Sequence, residues 1–120
     1  GLLERLSESR ESGHLQWITA SQGKGVRLIP VAEVCYFRSD NKYTSVVTAD
    51  GESLIRVTLR ELLDQLDPAV FWQIHRNTVV NANAIAGLHR DLKGRLSIQL
   101  KQRGETLPVS EAQAARFRAM

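Results

Sequence analysis

The sequence predicts a mainly β domain carrying one or two short helices. Three observations lead there. From Gln16 onward the chain is a succession of short runs rich in β-branched and aromatic residues, and Gly, Asn, Asp and Pro punctuate those runs. Within this body, leucines at helical spacing fill one stretch only, Leu59 to Leu66. A chain of 120 residues with 42% hydrophobic composition suffices for one domain with its own core.

The elements follow in order. Leu2, Leu3 and Leu6 have helical spacing and Ser7 to Gly13 turns polar, so residues 1–14 are expected to be a helical tail or linker leading from an upstream domain, and residues 15–120 the folded body. Trp17 to Ala20, Val26 to Ile29 and Val34 to Phe37 are strand-like runs, separated by Gln22-Gly23-Lys24-Gly25 and by Pro30. Tyr43 to Ala49 and Glu52 to Val57 flank Asp50-Gly51, whose preference for positive φ predicts a type I′ hairpin. Thr58-Leu59-Arg60-Glu61 has the form of a capping box, and Leu59, Leu62, Leu63 and Leu66 then give the helix one apolar face before Asp67-Pro68 ends it. Phe71 to Ile74 and Thr78 to Val80 are two further strands. Ala84 to His89 and Leu96 to Leu100 make a second hairpin around Asp91-Leu92-Lys93-Gly94. Thr106 to Val109 is a last strand, and Ser110 with Gln113 reads as the cap of a terminal helix bearing Ala112, Ala115 and Phe117.

Several classes of function find no support in these residues. There is no apolar run of membrane-spanning length, and a single cysteine, Cys35, forms neither an intramolecular disulfide nor a zinc cluster, which suits a reducing cytoplasm. His14, His75 and His89 are scattered without metal-ligand spacing, and no Gly-x-Ser-x-Gly elbow or phosphate loop is present. No cofactor or metal is expected, and no enzyme; a hydrolase pairing His75 with Ser39 or Ser45 lacks any group to orient the pair.

Charge and polarity point to binding. The net charge is only +3, but between Ile74 and Arg103 six basic residues stand against Asp91 alone. Such a segment either builds one basic, phosphate-binding face or is an ordinary solvated strand surface. Polar side chains also cluster at two bends, Ser39-Asp40-Asn41-Lys42-Tyr43-Thr44 and His75-Arg76-Asn77-Thr78. Asn pairs with adenine edges, Lys with guanine or phosphate, and Tyr and Thr hydroxyls with phosphate oxygens. Arg76 suits both guanine acceptors at once or a phosphate clamp. The structural alternatives are an Asx turn at the first bend and a hydrogen-bonded structural histidine at His75.

The segment Phe71-Trp72-Gln73-Ile74-His75-Arg76-Asn77-Thr78-Val79-Val80-Asn81 resembles the hallmark of LytTR domains. Val31 to Phe37, Asp40-Asn41-Lys42-Tyr43, Thr58 to Leu62 and Leu107-Pro108-Val109-Ser110 resemble further family segments in the same order. The resemblance implies an elongated stack of short antiparallel sheets with small helices. It also implies sequence-specific binding of double-stranded promoter DNA as the cytoplasmic output domain of a bacterial two-component response regulator. An upstream receiver would then precede the domain, and pairs of domains would sit on direct repeats with loops inserted into major grooves. By position, the resemblance assigns DNA contacts to Asn41, Lys42, Tyr43 and Thr44, to His75, Arg76 and Asn77, and to Ser110. Two departures stand out: Glu111 occupies a position that is usually basic in the family, and Asn77 a position that is usually serine. A protein-interaction or dimerisation module is the alternative, its basic face incidental.

Overall fold

Alternation between two apolar faces decides this architecture. The structure, a computed structural model, describes residues 14–117. Its centre is a five-stranded antiparallel sheet in the order β5-β4-β3-β7-β6. These strands are β3 (Val34–Ser39), β4 (Thr44–Thr48), β5 (Gly51–Ile55), β6 (Phe71–His75) and β7 (Thr78–Asn81). One face buries Phe37, Val46, Phe71 and Val79, and the other Tyr36, Val47, Ile74 and Val80, so neighbouring residues of one strand enter different cores. A bulge between Val34 and Tyr36 breaks the alternation and turns both Cys35 and Tyr36 into the second core.

Each face needs a cover. The hairpin β1 (Trp17–Gln22) and β2 (Gly25–Pro30) contributes Ile18, Ala20 and Ile29 to the first core. Helix α1 (Leu59–Gln65) adds Leu59 and Leu62, with Leu66 at its C-cap. The second core is closed by a three-stranded sheet of order β10-β9-β8, made of β8 (Ile85–Arg90), β9 (Leu96–Leu100) and β10 (Thr106–Pro108). Leu96, Ile98 and Leu100 point inward from β9 while Ser97 and Gln99 alternate with them. Helix α2 (Glu111–Ala114), continued by a 3-10 turn over Ala115–Phe117, brings Ala114 and Phe117 against this core. Stacking three small sheets gives a body of 53 × 35 × 25 Å, the elongated form that the family resemblance implies.

Local chemistry was mostly as predicted. The Thr58 capping box is complete: the Thr58 Oγ1 accepts from the Glu61 N–H at 3.1 Å, and the Glu61 carboxylate accepts from the Thr58 N–H at 3.2 Å. Asp50-Gly51 does not form the expected type I′ turn. Thr48 pairs with Gly51, so Ala49 and Asp50 are the central residues, and neither has a positive φ. A glycine in the fourth position of a turn is equally at home in the common type I geometry. Gly23, with φ +58, and Gly94, with φ +79, are the described residues that take the left-handed region. The predicted helix over residues 2–6 lies outside the described residues. His14, assigned to the linker, has its Nδ1 3.7 Å from the Asp67 carboxylate, and the Leu15 N–H donates to the Gln65 carbonyl at 2.7 Å.

One polar strap links the sheets. The Tyr36 hydroxyl donates to Glu105 Oε2 at 2.7 Å, and Arg103 donates both to Glu105 Oε1 at 2.8 Å and to the Thr48 carbonyl at 2.7 Å. Burial, reinforced by the bond to Glu105, pushes the Tyr36 hydroxyl up to about 12. The Tyr36 and Arg103 donors hold the Glu105 carboxyl below its usual range. Burial likewise raises the Cys35 thiol, which makes it an inert core group.

Candidate nucleic-acid interface

The two polar bends come together because their strands are neighbours. β3 pairs with β7, so the bend after β3 and the turn before β7 emerge at the same sheet end. The Ser39 N–H donates to the Asn77 carbonyl at 2.8 Å, and Ser39, Asp40, Asn41, Arg76 and Asn77 line one shallow depression. A single surface can therefore meet Asn41 and Arg76 together.

Each bend is internally tied. The Asp40 N–H donates to the Tyr43 carbonyl at 2.8 Å, and Asp40 Oδ1 accepts from the Asn41 N–H at 2.7 Å. These bonds leave the side chains of Asn41, Lys42 and Tyr43 exposed. Thr44 is different: it is buried, and its hydroxyl donates to the Val57 carbonyl at 2.7 Å. Thr44 must therefore be withdrawn from the DNA-facing set, since a donor already satisfied in the core has nothing to offer a ligand. In the second bend, His75 pairs with Thr78 after a register shift, which leaves Arg76 and Asn77 as the turn. The Arg76 side chain is exposed; Asn77 Oδ1 accepts from the Thr78 hydroxyl at 2.9 Å, so the amide N–H2 of Asn77 is the group left to donate.

The third element adjoins them. The Ser110 N–H donates to the Ile74 carbonyl at 2.8 Å, which anchors the start of α2 beside β6. Ser110 holds the N-cap position as predicted, yet its hydroxyl makes no capping bond and is free for another acceptor. His75, Ser110 and Glu111 share a cleft with Arg90, Lys93 and Arg95 from the β8–β9 turn. His75 Nδ1 is buried there without a hydrogen-bond partner, so the ring is fixed more by packing than by a polar anchor.

The six cations of the basic segment divide. Arg76, Arg90, Lys93 and Arg95 lie at this end. Arg103 is engaged by Glu105 and the Thr48 carbonyl, and Lys101 lies in a separate cleft with Glu33 and Asp50. Of the two readings left open for this segment, a basic face or a solvated strand surface, four of the six cations lie where the first would need them, in two adjoining depressions. Charge counting along the chain signalled Arg90, Lys93 and Arg95 but did not put them at the site, because their place depends on how the outer sheet is docked.

The sequence pattern of the LytTr DNA-binding domain matches residues 24–120. The chain is 39% identical over 113 residues to an uncharacterized response regulatory protein of Vibrio cholerae, covering 91% of this chain and 42% of that protein. It is 36% identical over 110 residues to the positive alginate biosynthesis regulatory protein of Pseudomonas aeruginosa, covering 91% of this chain and 44% of that one. The chain therefore spans less than half the length of these two relatives. Among solved structures it superposes on a domain described as the LytTr DNA-binding domain of a putative methyl-accepting/DNA response regulator from Bacillus cereus. That match has a TM-score of 0.78 and 26% identity, and it covers 87% of this chain and 94% of the other.

Proposed function

This chain belongs to the LytTr DNA-binding domain family, and from that premise we propose that it is the sequence-specific DNA-binding output domain of a bacterial response regulator, with no catalytic role. Its bends enter the major groove of promoter DNA. Arg76 takes a guanine edge or clamps a phosphate, Asn41 and Asn77 offer amides to base edges, and Lys42, Tyr43, His75 and Ser110 reach phosphates or bases beside them. An upstream receiver domain, joined through residues 1–14, brings two copies onto direct repeats in the cytoplasm.

One observation carries the reading: the Asn41–Tyr43 bend and the Arg76–Asn77 turn sit side by side, bonded through Ser39 and Asn77. Their side chains are polar, exposed except for the half-buried Asn77, and mounted on a rigid sheet, which is what reading base edges without a recognition helix requires. A second reading, a protein-interaction module, has Trp17, Val26 and Leu28 in its favour, which are exposed together on the outer face of β1–β2.

The decisive experiment enriches duplexes bound by this chain from random DNA and titrates Arg76 variants on the winning sequence by fluorescence anisotropy. Arg76→Ala is expected to cost on the order of 1 to 3 kcal/mol, and Arg76→Lys to recover only part of it if the guanidinium binds in a bidentate way. An Arg76→Ala variant that is folded and binds with wild-type affinity removes Arg76 from the interface; failure to enrich any sequence removes the function.

A further inference from the structure

The β8–β9 turn carries three cations that none of the three bends above accounts for. Resting on the DNA-binding reading, we infer that this turn is a fourth contact element, in which Arg90, Lys93 and Arg95 grip backbone phosphates of the same duplex.

The turn is built to hold cations outward. Asp91 Oδ1 accepts from the backbone N–H groups of Lys93 at 2.9 Å and Arg95 at 2.8 Å, and the Asp91 N–H donates to the Arg95 carbonyl at 3.0 Å. The one acid of the segment is thereby turned onto the amides of its own turn. Gly94, with φ +79, supplies the left-handed residue that closes it, and Arg90 Nη1 donates to the Gly94 carbonyl at 2.9 Å. The result is a stiff, protruding bend with Arg90, Lys93 and Arg95 exposed on it.

These charges lack partners. Among the described residues the ion pairs are His14 with Asp67 and Arg103 with Glu105, and neither involves the turn. Three neighbouring cations held in no direct ion pair repel one another, and an anion laid across them removes that repulsion. The cleft they share with His75 and Ser110 joins the turn to the recognition bends, so a duplex seated on Arg76 passes within reach. Asp91 within the turn and Glu111 in the shared cleft offset two of the three charges, which leaves the turn and its cleft one cation in excess. A string of phosphates is the anion this arrangement fits. Interactions of that kind position the duplex without reading its sequence.

The test uses the whole 120-residue chain and the enriched duplex, with binding followed by anisotropy across a salt series. The double variant Lys93→Gln, Arg95→Gln keeps Arg90 and its bond to the turn, and thermal unfolding verifies its fold. The slope of log affinity against log salt is expected to become shallower by about 2, at ~0.9 for each phosphate that the variant no longer neutralises. The affinity ratio between the enriched and a scrambled duplex is expected to stay as in the wild type. An unchanged slope overturns the fourth element while leaving the Arg76 interface standing. A wild-type chain that binds no DNA overturns both.

Discussion

Arg76 and Asn81 belong to one motif and have opposite tasks. Arg76 is exposed in the turn, whereas Asn81 is 2% exposed and serves the fold alone. Its Nδ2 donates to the Val34 carbonyl at 2.9 Å and weakly to the Ala32 carbonyl at 3.4 Å, while its Oδ1 accepts from the Asn83 N–H at 2.9 Å. It therefore clamps the chain entering β3 to the chain leaving β7. Asn81→Ala leaves a buried carbonyl without its donor and is expected to cost about 2 kcal/mol in urea unfolding, with DNA affinity per folded molecule unchanged. Normal stability combined with abolished binding would instead place Asn81 against the DNA. In the sequence Asn81 is no more than the closing residue of the hallmark segment, just as Thr44 is a hydroxyl beside a bend. Burial sorts such residues, and burial depends on partners distant along the chain: Val34 for one, Val57 for the other. Arg76 was legible because a buried, unpaired guanidinium is prohibitive, so an arginine in a polar bend defaults to the surface.

Elements whose chemistry is local were read well. The capping box places α1 correctly because all its partners lie within one turn of helix. Asp50-Gly51 locates a hairpin but not its turn type, since register across β4 and β5 decides which residues are central. The strap from Tyr36 to Glu105 was invisible because its ends are 69 residues apart. It carries its own signature. With the Tyr36 hydroxyl at about 12 in the folded chain and near 10.0 when unfolded, its contribution is fully present below pH 10. As pH rises from there toward 12, the unfolded chain sheds the phenolic proton that the folded chain retains, and stability falls by up to on the order of 2 kcal/mol. Urea midpoints compared at ~pH 9 and ~pH 11 should drop for the wild type and drop less for Tyr36→Phe. Equal drops in the two chains would mean that the hydroxyl titrates freely.

At the scale of the whole molecule, charge is arranged more tellingly than its sum suggests. A net +3 is unremarkable, yet Arg76, Arg90, Lys93 and Arg95 gather at the end where the bends converge. One domain presenting so few cations is expected to neutralise about three to five phosphates and to bind weakly at physiological salt. The pairing of two copies proposed above would raise that affinity, and it makes the geometry testable. Two copies joined by a linker just long enough to span neighbouring sites on one face of the duplex should bind direct repeats ~10 bp apart some 10²- to 10⁴-fold more tightly than one copy binds one site. Moving one repeat by about half a helical turn rotates it to the far side of the duplex, beyond the span of that linker. That shift should abolish most of the gain while leaving the affinity of each single site intact. A gain that survives every spacing would mean that the two copies act independently, and one that is absent at every spacing would mean that they cannot share a duplex. Only a peak that recurs with the helical repeat supports an interface that faces one side of DNA.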